Sequence, residues 1–124
     1  MNKTILVIED NEDNRSLITQ LLESAGNTVI EAVTGMEGYE KTLALRPDVV
    51  LLDIQLPDIE GTEVLKMIRS NKEVEDIAIV AVTSFAMAGD REKLMAAGCN
   101  GYVEKPIDPF RIIEELEIIL KEQQ

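Results

Sequence analysis

Asp48-Val49-Val50-Leu51-Leu52-Asp53 is a short apolar run that ends on a carboxylate, and Thr4-Ile5-Leu6-Val7-Ile8-Glu9-Asp10, near the start of the chain, ends on two. Neither run alternates apolar with polar residues. Each has the length of a strand, and unbroken Val, Ile and Leu suit a parallel strand covered on both faces. If the two runs are parallel strands of one sheet, Glu9, Asp10 and Asp53 meet at its carboxyl edge. Like charges placed there repel by roughly 3 kcal/mol per pair at about 5 Å and an effective dielectric near 20. A fold that keeps such a cluster uses it, and a cation is the simplest use.

The remaining segments extend this pattern. Strands are predicted over 4–9, 28–32, 48–53, 77–83 and 101–104, and helices lie between them. Leu17, Ile18, Leu21, Leu22 and Ala25 recur at helical spacing, and Gly26 stops that helix. Further helices are predicted over about 36–45, 61–71 and 87–97, the last closed by Gly98. A fifth begins near Asp108-Pro109 and buries Phe110, Ile113 and Leu116. Strict alternation of β and α elements implies a doubly wound parallel sheet with right-handed crossovers. In such sheets the crevice lies at the carboxyl ends of the strands. Thr83-Ser84 follows the fourth strand and Lys105-Pro106 follows the fifth, so a hydroxyl and an ammonium join the three carboxylates.

Composition narrows the function. The chain has 124 residues, 45% hydrophobic and 29% charged, which is one domain with an ordinary core. Its 24 acids against 12 bases give a net charge of -12 and no basic run, so direct nucleic-acid binding is not expected. No apolar stretch reaches the ~18 residues of a membrane span, and no secretory pattern opens the chain. Cys99 is alone, which fits a reducing, cytoplasmic setting and a small residue packed near a turn.

Glu9-Asp10, Asp53 with Pro57 and Gly61, Thr83-Ser84 and Lys105-Pro106 stand in register at their strand ends, and this set resembles the receiver domain of two-component response regulators. The resemblance spans the chain. Around Glu9–Asn14 and Asp53–Pro57 it is most similar to stand-alone cell-division receivers and to receivers of hybrid histidine kinases. It implies a flavodoxin-like (βα)5 fold with a five-stranded parallel sheet in the order 2-1-3-4-5. It also implies a single receiver domain without an effector domain, acting as monomer or weak dimer.

The resemblance assigns roles residue by residue. Asp53 is the expected phosphoacceptor. Glu9, Asp10, Asp53 and the backbone carbonyl of Gln55 are expected to hold Mg2+, with Mn2+ as a substitute, Glu9 acting mainly through water. Lys105 is expected to pair with phosphoryl oxygens, across a Lys105-Pro106 bond that is cis in the family. Thr83, Ser84 and Tyr102 form the expected switch, repacking the face of helix four, strand five and helix five, where Arg91, Met95, Tyr102 and Glu104 are exposed candidates. Asn14, Ile18 and Pro106 are expected to meet a sensor histidine kinase or a histidine phosphotransfer protein. Phe85 is expected to shield the acyl phosphate from water. Such a domain labels itself and slowly dephosphorylates itself; it is a switch toward a downstream protein, not an enzyme with turnover.

Three other readings fit less well. A flavodoxin needs a hydroxyl- and Gly-rich phosphate loop where this chain has Glu9, Asp10, Glu12 and Asp13. An Asp-nucleophile phosphatase needs a second Asp two residues after the first strand's Asp, and Glu12 stands there instead. A receiver that has lost phosphorylation would lack one of the required residues, and none is missing.

Overall fold

The computed structural model describes residues 2–84 and 88–122. Five strands alternate with five helices: β1 (Thr4–Ile8), α1 (Glu12–Ser24), β2 (Thr28–Ala32), α2 (Gly35–Leu45), β3 (Val49–Asp53), α3 (Gly61–Arg69), β4 (Ala78–Thr83), α4 (Ala88–Ala97), β5 (Gly101–Glu104) and α5 (Ile112–Lys121). All strand pairs are parallel, and the order is β2-β1-β3-β4-β5. The expected fold class and order hold.

Side-chain alternation along each strand explains the unbroken apolar runs. Leu6, Ile8, Val50 and Leu52 face one core with Val64, Leu65 and Ile68 of α3 and Leu94 of α4. Ile5, Val7, Val49 and Leu51 face a second core with Ile18 and Leu22 of α1 and Ile112 and Leu116 of α5. The buried residues of the central strands therefore meet a helix whichever way they point, while Thr28 and Glu31 of edge strand β2 and Glu104 of β5 are exposed.

Helix ends follow local chemistry. Asn11 Oδ1 accepts the Asn14 N–H at 2.9 Å and caps α1, while Gly26 takes φ +91° just past its end. Thr34 caps α2 by accepting the Glu37 N–H at 3.1 Å.

Two expectations fail here. Ile18 is 2% exposed and packs in the core, so it offers no surface to a partner; Leu17, 37% exposed, is the apolar side chain that α1 shows to solvent. Both residues fit a helical repeat, and only the direction of the helix on the sheet separates them. The fifth helix starts at Ile112, not near Asp108. The Asp108 side chain instead accepts the Phe110 N–H at 2.9 Å and its carbonyl accepts from Arg111 and Ile112, forming a turn that turns Phe110 outward, 95% exposed. Ile112 takes the buried place expected of Phe110, and Ile113 is partly buried.

Candidate functional site

The site is assembled by the sheet order. β1 and β3 are neighbours with Ile8 opposite Leu52, so Glu9 and Asp10, one and two residues beyond β1, come beside Asp53 at the end of β3. β4 lies on the far side of β3, with Asp53 opposite Val82, which puts Thr83 next in line. β5 then brings Lys105, whose N–H donates to the Thr83 carbonyl at 2.9 Å.

Glu9, Asp10 and Asp53 each offer a carboxylate oxygen, and the three oxygens lie within 4.8 Å of one another. Glu9 and Asp53 are buried and Asp10 is exposed. Lys105 Nζ stands 3.1 Å from Asp53 Oδ2 and 3.1 Å from Glu9 Oε1. It is aligned as a hydrogen-bond donor toward Asp53. Glu9 Oε1 is thus left buried without a hydrogen bond, while Glu9 Oε2 accepts the Asn11 N–H at 3.2 Å. Asp53 Oδ1 accepts the Gln55 N–H at 3.0 Å.

One ammonium does not neutralise three carboxylates. Burial, together with the hydrogen bond and charge of Asp53, pushes the Glu9 carboxyl up from 4.5 to about 7, against the Asn11 N–H and Lys105. Burial alone would lower the Lys105 ammonium, but its contacts with Asp53 and Glu9 outweigh that and hold it above 10.5. A buried Glu9 oxygen held by the Lys105 ion pair without an aligned hydrogen bond, a hard all-oxygen donor set and excess negative charge all suit a small divalent cation.

Several neighbours hold these groups in place, and not all were foreseen. Arg15 of α1 donates from Nη1 to the carbonyls of Glu9 and Asp10 at 3.0 and 3.3 Å, and its Nε lies 3.5 Å from Glu31 Oε2. Helical spacing alone marks Arg15 only as a polar position. Gly61 begins α3 directly beneath Asp53: a Cβ there would sit 2.6 Å from Ile54 Cα, so the backbone itself leaves no room. Gly61→Ala is expected to cost about 2 kcal/mol by displacing the β3–α3 loop, with a fall in melting temperature in EDTA and weaker Mg2+ binding by calorimetry.

Other expected site residues are placed as follows. Thr83 is buried at the end of β4, and Ser84 is exposed beside it. Ser84, Lys105, Pro106, Ile107 and Asn14 line one depression of about 250 Å³, so the predicted docking residues other than Ile18 do share a surface. The Lys105-Pro106 bond is cis. Tyr102 is half-buried under the Arg91 guanidinium, 5.0 Å from its ring centre, and Arg91 Nη2 pairs with Glu104 Oε1 at 3.2 Å. Met95 is 48% exposed on the same face. Phe85 lies outside the described residues.

The family model described as the response regulator receiver domain matches residues 5–117. The chain belongs to this receiver domain family. Receiver domains similar to it include the polar-differentiation response regulator DivK of Brucella ovis, 39% identical over 120 residues that span 97% of this chain and 98% of that relative. The DivK of Brucella anthropi is 40% identical over the same shares. Among solved structures, a CheY-like receiver domain from Methanospirillum hungatei superposes with a TM-score of 0.88 at 32% identity, covering 99% of this chain and 97% of that one. The receiver domain of a sensor histidine kinase from Pseudomonas aeruginosa, 30% identical with a TM-score of 0.85, covers 99% and 98% and carries a magnesium ion in its active-site cleft. Among the described residues of this receiver domain, no helix is long and apolar enough to cross a membrane.

Proposed function

We propose that this receiver domain accepts a phosphoryl group on Asp53 from the phosphohistidine of a sensor kinase or phosphotransfer protein, and that the acyl phosphate alters its contacts with a downstream protein in the cytoplasm. The observation that carries this reading is a buried Asp53 flanked by Lys105 at 3.1 Å and by two further carboxylates within 4.8 Å.

Glu9, Asp10, Asp53 and the Gln55 carbonyl would hold Mg2+. When bound, the ion supplies the positive charge that lets one anion approach another. An Asp53 oxygen attacks phosphorus in line as the bond to the histidine nitrogen breaks, and the electron pair departs with the imidazole. Lys105 exchanges its contact with Asp53 Oδ2 for one with a phosphoryl oxygen. Thr83 offers its hydroxyl to another, and the small Ser84 leaves room for entry. Water later attacks the same phosphorus, so the domain resets itself without turning over an external substrate.

Output is read at the face of α4, β5 and α5. Met95, Tyr102, Glu104, Arg111 and Ile118 line an open groove there of about 730 Å³. The inward pull of Thr83 on the phosphoryl group frees space that the Tyr102 ring can fill, at the expense of its stacking under Arg91. The depression around Asn14 and Pro106 is the docking place for the phosphoryl donor.

Incubation with acetyl phosphate and Mg2+ followed by intact-mass measurement tests the reading. One added phosphoryl group is expected with Mg2+ present, and none when EDTA is present from the start. A chain that stays unmodified, or that releases phosphate catalytically from an added phosphomonoester, overturns it.

A further inference from the structure

Asp58 lies five residues beyond Asp53, in the loop between β3 and α3, and is not part of the carboxylate cluster. Its side chain reaches a different element. Oδ1 accepts the Gly35 N–H at 2.8 Å and Oδ2 accepts the Met36 N–H at 2.9 Å, so both oxygens are used on the first turn of α2. A helix start has four N–H groups without intrahelical partners, and Thr34 already satisfies one of them locally. Asp58 therefore adds a second cap from another part of the chain.

The contact is close on both sides. A Cβ on Gly35 would fall 2.6 Å from Ile59 Cγ1 and 2.9 Å from Val64 Cγ2, so the start of α2 packs directly on the loop and on α3. The loop is otherwise open to solvent at Gln55, Pro57, Asp58 and Glu60. Its described hydrogen bonds at the near end are Ile54 N–H to the Val82 carbonyl, Gln55 N–H to Asp53 Oδ1 and Gly61 N–H to the Ile54 carbonyl. Among the described hydrogen bonds of residues 55–60, that of Gln55 stays within the β3 end and those of Asp58 reach across to α2. The hydrogen bonds from Met36 and Gly35 also hold the Asp58 carboxyl below its ordinary value although burial acts the other way, which keeps it charged as an acceptor.

We propose that Asp58 is a positioning residue, clamping the β3–α3 loop against the start of α2 so that Asp53 and the Gln55 carbonyl are held for the cation and α2 registers its arrival. This rests on the Mg2+ reading given above for Asp53. Groups behind metal ligands commonly change affinity by about ten-fold or more when removed.

The test uses the 15N-labelled full chain titrated with Mg2+. In the wild type the amides of Gly35 and Met36 are expected to move on the same saturation curve as those of Asp53 and Gln55. Asp58→Ala is expected to weaken Mg2+ about ten-fold and to leave Gly35 and Met36 still through the titration. Asp58→Asn keeps one acceptor and is expected to weaken it by only about three-fold. The two variants carry the same charge, so the difference between them isolates the hydrogen bonds from loss of a nearby anion. Wild-type affinity in Asp58→Ala, equal losses in the two variants, or Gly35 and Met36 amides that ignore the metal each overturn the clamp while the Asp53 reading stands. A wild type whose Asp53 and Gln55 amides do not titrate overturns both.

Discussion

Asp53→Asn is expected to take up no phosphoryl group and, in EDTA, to be more stable than the wild-type chain. The first result follows from the loss of the attacking oxygen pair. The second follows from electrostatics: Glu9, Asp10 and Asp53 crowd within 4.8 Å with Lys105 beside two of them. Asn keeps the shape and the acceptor for the Gln55 N–H but removes one negative charge. Loss of the Lys105 ion pair offsets part of the relief, so a net gain of about 1 kcal/mol is expected.

The pH dependence supplies a second measurement on the same pair of proteins. In the folded wild type the Glu9 carboxyl sits at about 7, against 4.5 as its ordinary value. The folded state therefore holds this proton more tightly than the unfolded one. The resulting stability is fully present below pH 4.5 and is lost as pH rises through about 7. The gap corresponds to at most about 3 kcal/mol. Asp58 is lowered from 3.8 and Lys105 raised from 10.5, so neither contributes a slope between pH 5 and 7. Thermal unfolding in EDTA should show the wild-type melting temperature falling across that range and Asp53→Asn falling less. Added Mg2+ should then raise the wild type more than the variant, because a ligand stabilises in proportion to its affinity for the folded state. Equal responses to Mg2+ would mean that the carboxylates do not share an ion.

Arg69→Ala is expected to be the most destabilising of these substitutions, at about 3 kcal/mol or a melting-temperature loss of roughly 10 °C. Arg69 ends α3 and lies at the amino edge of the sheet, opposite the carboxylates. Its guanidinium donates to the carbonyls of Glu75 and Ile77 at 2.7 Å, to the Gly98 carbonyl at 2.8 Å and to Asn100 Oδ1 at 2.9 Å. Asn100 in turn exchanges hydrogen bonds with both backbone groups of Ile79 at 2.7 Å. One planar fork thus fastens the end of α3, the entry to β4 and the α4–β5 turn. Truncation leaves those acceptors without their donor. Lys supplies the charge without the fork, so Arg69→Lys should recover less than half of the loss. Chemical denaturation measures both. Acetyl-phosphate labelling of Arg69→Ala well below its melting temperature should match the wild type within about two-fold, since Arg69 takes no part in the site.

How much of this was legible in the chain itself varies with the range of the interaction involved. Each strand was found to within about one residue, because the central strands between two helical layers are apolar at nearly every position and the edge strands are bounded by turn residues. The carboxylates were legible for a related reason: a charge directly after such a run marks the end of burial. The register set of Glu9-Asp10, Asp53, Thr83 and Lys105 then carried the family. The start of α5 was misread because Asp108-Pro109 suits a helix cap and a turn equally well, and local chemistry does not choose between them.

Chain order alone determined the alternation of elements, the two-sided core and the type of residue at each strand end. Only the tertiary structure decided which of Leu17 and Ile18 faces solvent, that Phe110 points outward, that Arg15 grips the Glu9 and Asp10 carbonyls, and that Asp58 and Arg69 bridge elements distant in sequence. Local patterning depends on burial and backbone periodicity, which repeat within a few residues. A hydrogen bond across 22 or 29 residues depends on where two helices come to rest on the sheet, and single side chains carry no periodic trace of that placement.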